Sequence, residues 1–330
     1  MDVSAVVWIV TAVAILGLFV FDFFAHVRTP HDPTFKESAI WSGVYIGLAL
    51  LFGGYIAWQW GGTYAGEYYA GFVTEKALSV DNLFVFLIIM TTFAVPRIYQ
   101  QKVLLIGIVL ALVMRGAFIA VGAAAISTFS WVFYLFGFFL VYTAIKLVRE
   151  SGHEVEHEQQ RDAAIVRLAK RVLPTTDTFV GDKLTTKIDG KRVVTPLLLA
   201  LVAIGFTDLL FALDSIPAIY GLTEQPYIVF TANAFALMGL RQLYFLIGGL
   251  LDRLVYLSYG LSIILAFIGV KLVLHALHEN TLPFVNGGEH VSVPEISTGL
   301  SLSVILGVLV VTTVASLLKT RGEKSAAAPE

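Results

Sequence analysis

The sequence predicts an all-α polytopic membrane protein with about nine transmembrane helices, including two inverted three-helix repeats. Three observations predict it. Of 330 residues, 57% are hydrophobic and 14% charged, and the mean hydropathy is +0.81; soluble domains carry about 25% charged residues. Apolar runs long enough to cross a bilayer recur from end to end, among them 3–21, 83–94 and 301–318. Basic residues outside these runs fall in alternate loops. A soluble enzyme, a nucleic-acid binder and a secreted disulfide scaffold are therefore poor readings. The chain has no cysteine, so it forms neither a disulfide nor a thiolate metal site. Lipid offers no water to unpaired backbone groups, and the runs lack the alternation of a barrel, so they read as helices.

The elements follow in order. Asp2 stands where a signal peptide has basic residues, and no small-residue cleavage site follows 3–24, so this run reads as a retained first span. The other spans are 39–58, 69–94, 103–122, 130–148, 197–220, 228–250, 255–275 and 298–318. The first loop carries Arg28 and Lys36, and the third Arg97 and Lys102. The fifth carries Arg149, Arg161, Arg167, Lys170, Arg171, Lys183, Lys187, Lys191 and Arg192. The seventh has Arg253, and the tail has Lys319, Arg321 and Lys324; the even-numbered loops have no basic residue. This alternation places the N-terminus outside and the C-terminus in the cytoplasm of a bacterial plasma (inner) membrane, and it supports an odd number of spans. The chain divides into two N-terminal helices (1–68), a first repeat (69–148) and a cytoplasmic loop (149–194). A second, inverted repeat (195–278) follows, then an outer loop, last helix and cytoplasmic tail (279–330). In the cytoplasmic loop a charged helical stretch, 161–173, precedes Pro174 and a Thr/Asp/Gly-rich run that reads as turns. Trp58, Trp60, Tyr64, Tyr68 and Tyr69 fit an outer aromatic belt.

Charges inside the spans carry the functional argument. Glu75, Asp81, Asp208 and Asp214 fall well within predicted spans, and Asp22 near the end of the first. A charge at the bilayer centre costs at least about 2.5–3.5 kcal/mol, so these acids need partners, water or a bound cation. The basic residues of the spans are Lys76, Arg115, Lys146, Arg241 and Lys271. Lys146 and Lys271 lie near span ends, where a lysine can snorkel.

The acids come in two related stretches. Gly71-Phe72 precedes Glu75, and Asp81-Asn82 follows six residues later; Gly205-Phe206 precedes Asp208, and Asp214-Ser215 follows at the same spacing. In each half the next span has an arginine with a glycine seven residues on, Arg115 with Gly122 and Arg241 with Gly248. The third span of each half ends in Lys-Leu-Val, 146–148 and 271–273. Units of three spans must be oppositely oriented, the build of many secondary transporters with interrupted helices at the midplane. Acids six apart on an ideal helix lie about 9 Å apart along the axis and about 120° around it, too far to share one small ion. Local unwinding at Pro217, Ser79, Asn82, Ser215 or the glycines would let freed carbonyls join them; alternatively one acid from each half forms the site while the others gate or carry protons.

The predicted metal ligands are Glu75, Asp81, Asn82, Asp208, Asp214 and Ser215, with Lys76, Arg115 and Arg241 as charge partners and Asp22 and Ser79 in support. These are hard oxygen donors, which suit Mn²⁺, Mg²⁺ or Ca²⁺ above Zn²⁺ or Cu⁺. Four acids against three bases leave one negative charge, so pairing that merely fastens the bundle is incomplete. The arginines serve as charge partners holding the acids apart once the ion has left; binding an oxyanion such as tellurite is the other use open to them.

At Glu75-Lys76-Ala77-Leu78-Ser79-Val80-Asp81-Asn82 and Asp208-Leu209-Leu210-Phe211-Ala212-Leu213-Asp214-Ser215-Ile216-Pro217 the sequence resembles the TerC family of bacterial membrane proteins. That family is named for tellurium resistance and includes manganese exporters. Asp22 and the run 35–42 extend the resemblance, which covers all the spans. It implies Mn²⁺ efflux in the family's exporter branch; no prosthetic group and no enzymatic reaction are expected of the chain. For other members it implies a link to tellurite resistance or to metal supply for exported proteins.

Weaker signals complete the reading. His153, Glu154, Glu156, His157 and Glu158 read as a solvated acidic helix end, although His153 and His157 have a metal-binding spacing. His275, His278, Glu279, Glu289 and His290 read as an ordinary polar outer loop that could attract cations on release; His26 and His31 read as incidental. An intramembrane aspartyl protease would place acids on two spans, but neither Asp81 nor Asp214 has a Gly-x-Gly-Asp or Tyr-Asp context. An accessory protein that docks a partner complex through 149–194 is the remaining alternative to a proton-coupled exporter.

Overall fold

The computed structural model describes residues 1–29, 31–129, 131–150, 174–176, 178–188, 191–247, 254–280, 291, 293–294 and 296–326. Helix α1 (Ala5–Asp22) starts at Ser4, whose Oγ accepts from Val7 N at 3.4 Å, and runs into one π-helical turn, Phe23–Val27. Helix α2 (Phe35–Trp60) begins at a capping pair: Thr34 Oγ1 accepts from Glu37 N at 3.2 Å. Then come α3 (Gly62–Thr92), α4 (Arg97–Thr128) and α5 (Val132–Glu150). A hairpin of β1 (Thr185–Ile188) and β2 (Lys191–Val194) pairs Thr185 with Val194 and Ile188 with Lys191. Helices α6 (Pro196–Tyr220), α7 (Pro226–Leu237), α8 (Leu240–Ile247), α9 (Leu257–Glu279) and α10 (Thr298–Ala326) follow.

Eight of the nine expected spans each fall on one helix, and the described part of the seventh, 228–247, falls on two. Among the described residues eight helical stretches are long and apolar enough to cross a membrane. The exception is α3, 31 residues long, along which Glu67, Glu75, Lys76 and Asp81 sit. The fold is an all-α polytopic membrane bundle with one small hairpin.

Three expectations are corrected. The helices carrying the acids do not unwind: α3 is continuous through 75–81 and α6 through 208–214. Pro217 lies in the last turn of α6; it leaves Leu213 O without its helical donor, yet the helix continues through it to Tyr220. The break comes in the seventh span instead, where Gly239 has φ 78° and separates α7 from α8; only glycine takes that conformation without strain. Tyr68 does not belong to an interfacial belt. It is fully buried and donates to Ala49 O at 3.1 Å, while Tyr69 donates to Leu50 O at 2.8 Å, so the two clasp α3 to α2. Trp58 remains 80% exposed, as a belt residue should be. The run after Pro174, read as turns, contains the hairpin.

Helix α3 lies at the centre, packed on α2, α6, α7 and α10. Helices α5 and α9 cross backbone to backbone: a Cβ on Gly137 would stand 2.8 Å from Gly269 O, and one on Gly269 2.9 Å from Gly137 O. Close approach through glycine is how membrane helices gain dispersion contacts when lipid provides no hydrophobic drive. At one end of the bundle the hairpin is tied to α4, since Lys102 Nζ donates to Asp182 Oδ2 at 2.7 Å. The N-terminus lies at the other end, where the Met1 ammonium donates to Tyr64 Oη at 2.9 Å.

Candidate functional site

Helices α3, α4 and α6 meet around Arg115. Helices α4 and α6 run side by side, held at the far end by Tyr220 Oη donating to Ile119 O at 2.7 Å. This sets Arg115 level with α6 residues 208–215. Its Nε and Nη2 donate to the two carboxylate oxygens of Asp208, both at 3.1 Å, in the planar fork that favours arginine over lysine. Its Nη1 donates to Ser215 Oγ at 3.0 Å and to Glu75 Oε1 on α3. Ser79, one turn on from Glu75, donates to the same Oε1 at 3.4 Å. Glu75, Arg115, Asp208 and Ser215 are all buried to 1% exposure or less. Two carboxylates thus share one guanidinium away from water, and among the described residues Glu75 Oε2 has no hydrogen-bond partner.

Asp81, Asn82, Asp214 and Ser215 line a cavity of about 490 Å³ beside this cluster. Lys146 and Leu147 of α5 and Leu261 of α9 also line it, so it lies toward the hairpin end of the bundle. Ser215 belongs to both places, touching Arg115 and facing the cavity. The six expected ligands therefore divide into a buried pair of carboxyl groups, Glu75 and Asp208, at Arg115 and a set that lines the cavity, Asp81, Asn82, Asp214 and Ser215. Among the described residues, no group of three or more His, Asp or Glu side chains is placed to hold a metal. The cause is the unbroken helices, which keep each acid pair on different faces.

The other expected charge partners also differ. Lys76 does not pair with the acids; its Nζ donates to Ala236 O at 3.0 Å and Met238 O at 3.4 Å, at the break between α7 and α8. The same break turns α8 toward α2, so Arg241 meets Asp22 instead of the central acids, Nη2 to Oδ1 at 2.8 Å. Tyr45 Oη at 2.8 Å and Gln242 Nε2 at 3.2 Å donate to the same oxygen, and Arg241 Nη1 reaches Gln101 Oε1. His26 Nδ1 stands 3.2 Å from Asp22, so this histidine is part of a buried polar network and not incidental.

A second cavity, about 610 Å³, lies at the opposite end and is lined by Glu67, Glu224, Lys271 and His275. His275 Nε2 and Glu224 Oε1 are 2.9 Å apart, and this hydrogen bond holds the Glu224 carboxyl below its ordinary range. Lys146 and Lys271 were read as snorkelling residues, yet each lines one cavity. The repeated Lys-Leu-Val was the available signal. His153, Glu154, Glu156, His157, Glu158, Arg253, Glu289 and His290 lie outside the described residues.

No solved structure matches the chain. An uncharacterized membrane protein of Mycobacterium tuberculosis is 53% identical over 323 residues, 98% of this chain and 81% of its own. An uncharacterized membrane protein of Myxococcus xanthus is 39% identical over 307 residues, 93% of this chain and 90% of its own. The Escherichia coli protein named "Putative membrane-bound redox modulator Alx" is 36% identical over 296 residues, 86% of this chain and 85% of its own. The profile of the integral membrane protein TerC family matches residues 60–324, which takes in the buried ion cluster and both cavities. With α3 to α10 matched, the chain belongs to the TerC family of multi-pass integral membrane proteins.

Proposed function

We propose that the protein exports a divalent metal ion, Mn²⁺ foremost, from the cytoplasm in exchange for protons. The observation that supports this is the pair of buried carboxyl groups, Glu75 and Asp208, which share Arg115 and leave Glu75 Oε2 without a partner among the described residues. A buried carboxylate oxygen in that condition favours uptake of a proton or a cation. The cavity that carries Asp81, Asn82 and Asp214 among apolar side chains is the approach, and Ser215 is its contact with the cluster. In this reading the hairpin end is cytoplasmic, the N-terminus is outside, the two halves are inverted repeats, and the second cavity is the exit.

The donors are carboxylate, amide and hydroxyl oxygens, which suit a hard divalent ion. Metal entry requires deprotonated ligands, and departure leaves carboxylates that gain protons. Moving two positive charges outward against an inward-negative potential costs about 4.6 kcal/mol per 100 mV, which proton entry offsets. The redox role in the name of the Escherichia coli relative would have no thiol to act through in this chain, which has no cysteine.

The test is Mn²⁺ flux in proteoliposomes with the membrane potential clamped. Flux should rise with an imposed pH gradient, and Glu75→Gln or Asp208→Asn should flatten that dependence. Flux indifferent to the gradient would replace the antiporter with a channel or uniporter; no flux at all would remove the transport reading.

A further inference from the structure

The break between α7 and α8 is buried on all sides: Ala236, Leu237, Met238 and Leu240 are at most 3% exposed. A helix ending inside a membrane leaves its last carbonyls without intrahelical partners, and lipid supplies none. Ala234 O is satisfied by Met238 N at 3.0 Å, but the carbonyls beyond it project from the negative end of a helix dipole. Lys76 Nζ lies 3.0 Å from Ala236 O and 3.4 Å from Met238 O. Asn233, one turn before Ala236, is fully buried, and neither Oδ1 nor Nδ2 has a hydrogen-bond partner. Two carbonyls at a helix C-terminus, converging on one ammonium, are the donors of a monovalent cation site.

We propose that the α7–α8 break is an alkali-cation site whose resident cation is the Lys76 ammonium, tethered to α3. The donors are neutral, so they match one positive charge; a divalent ion would lose its hydration without a carboxylate to replace it. Lys76 then removes any need for Na⁺ or K⁺ at this point in the wild-type protein. Taking the ammonium away without filling its space leaves a vacancy that Na⁺ or K⁺ enters. This holds whether or not the protein moves Mn²⁺, because it concerns the stability of the break.

The experiment is a thermal melt of the purified full chain in detergent, titrating NaCl or KCl against N-methyl-D-glucamine chloride. Lys76→Ala should melt about 3–8 °C below wild type in N-methyl-D-glucamine and recover saturably with Na⁺ or K⁺. Lys76→Met, which fills the space with an apolar chain, should lose stability and recover with neither. Wild type should show no cation preference. If Lys76→Ala cannot be purified in N-methyl-D-glucamine, the yield of monodisperse protein prepared throughout in NaCl or KCl is the readout. Recovery supports the site. A Lys76→Ala protein blind to both cations in melt and yield, or a Lys76→Met protein as stable as wild type, overturns it.

Discussion

Arg115 faces two buried carboxyl groups, Glu75 and Asp208. It holds Glu75 and Asp208 out of water, so its loss strands two buried carboxylates. Breaking a buried pair from one side costs about 3–5 kcal/mol, whereas replacing all members with uncharged groups is often neutral. Arg115→Met should therefore lower the melting temperature sharply, and Glu75→Gln with Arg115→Met and Asp208→Asn should recover most of the loss. A triple variant no better than the single one would show that packing, not charge, holds the cluster. Asp214 is a different case, since it lines the cavity and is absent from the Arg115 hydrogen bonds. Asp214→Asn is nearly isosteric and should leave the melt within about 1 kcal/mol of wild type while stopping Mn²⁺ flux. Wild-type flux in this variant would remove the cavity from the path. The acids and Arg115 were legible in the sequence because intramembrane charge is expensive whatever the fold. The partners of Lys76 and Arg241 were not, because they depend on a turn at Gly239 that apolar patterning does not mark.

Among the elements, the long apolar helices were the easiest to read, since length and hydrophobicity alone define them. The interruption between α7 and α8 was invisible to that signal: Phe235-Ala236-Leu237-Met238-Gly239-Leu240 is apolar throughout. Gly239→Ala tests the break directly. Its φ of 78° strains any L-residue, and the new Cβ would lie 3.0 Å from Tyr45 Cβ. A loss of at least about 1 kcal/mol is expected in the thermal melt. The hairpin was missed through weight given to its polar residues, although Asp189-Gly190 between β-branched runs is a hairpin signature. Its tie to α4 has a pH signature. The hydrogen bond from Lys102 holds Asp182 below the ordinary carboxylate value. A carboxyl depressed in the folded protein contributes stability that is present above its ordinary value, about 3.9, and is lost as pH falls through the lower folded value. Hairpin amides should therefore lose protection from hydrogen exchange between pH 6 and pH 3, after correction for intrinsic rate. In Lys102→Met the protection should be low at both.

For the molecule as a whole, the oxygen donors of the cavity, Asp81, Asn82, Asp214 and Ser215, predict how ions compete. Mg²⁺ and Ca²⁺ should inhibit Mn²⁺ flux at lower concentration than Zn²⁺ does. Inhibition by Zn²⁺ alone would direct attention to His275 in the opposite cavity. The crossing of α5 and α9 has a mechanical consequence. One helix comes from residues 69–148 and the other from 195–278, yet at Gly137 and Gly269 no side chain stands between their backbones. Sliding of one along the other would drive Val273 or Leu140 into peptide groups already in contact, so the pair behaves as a single plank. Any rearrangement that carries an ion through the bundle has to shear along some other plane. The cavity offers one such plane, with Asp81 and Asp214 on one wall and Tyr142, Lys146 and Leu265 on the other.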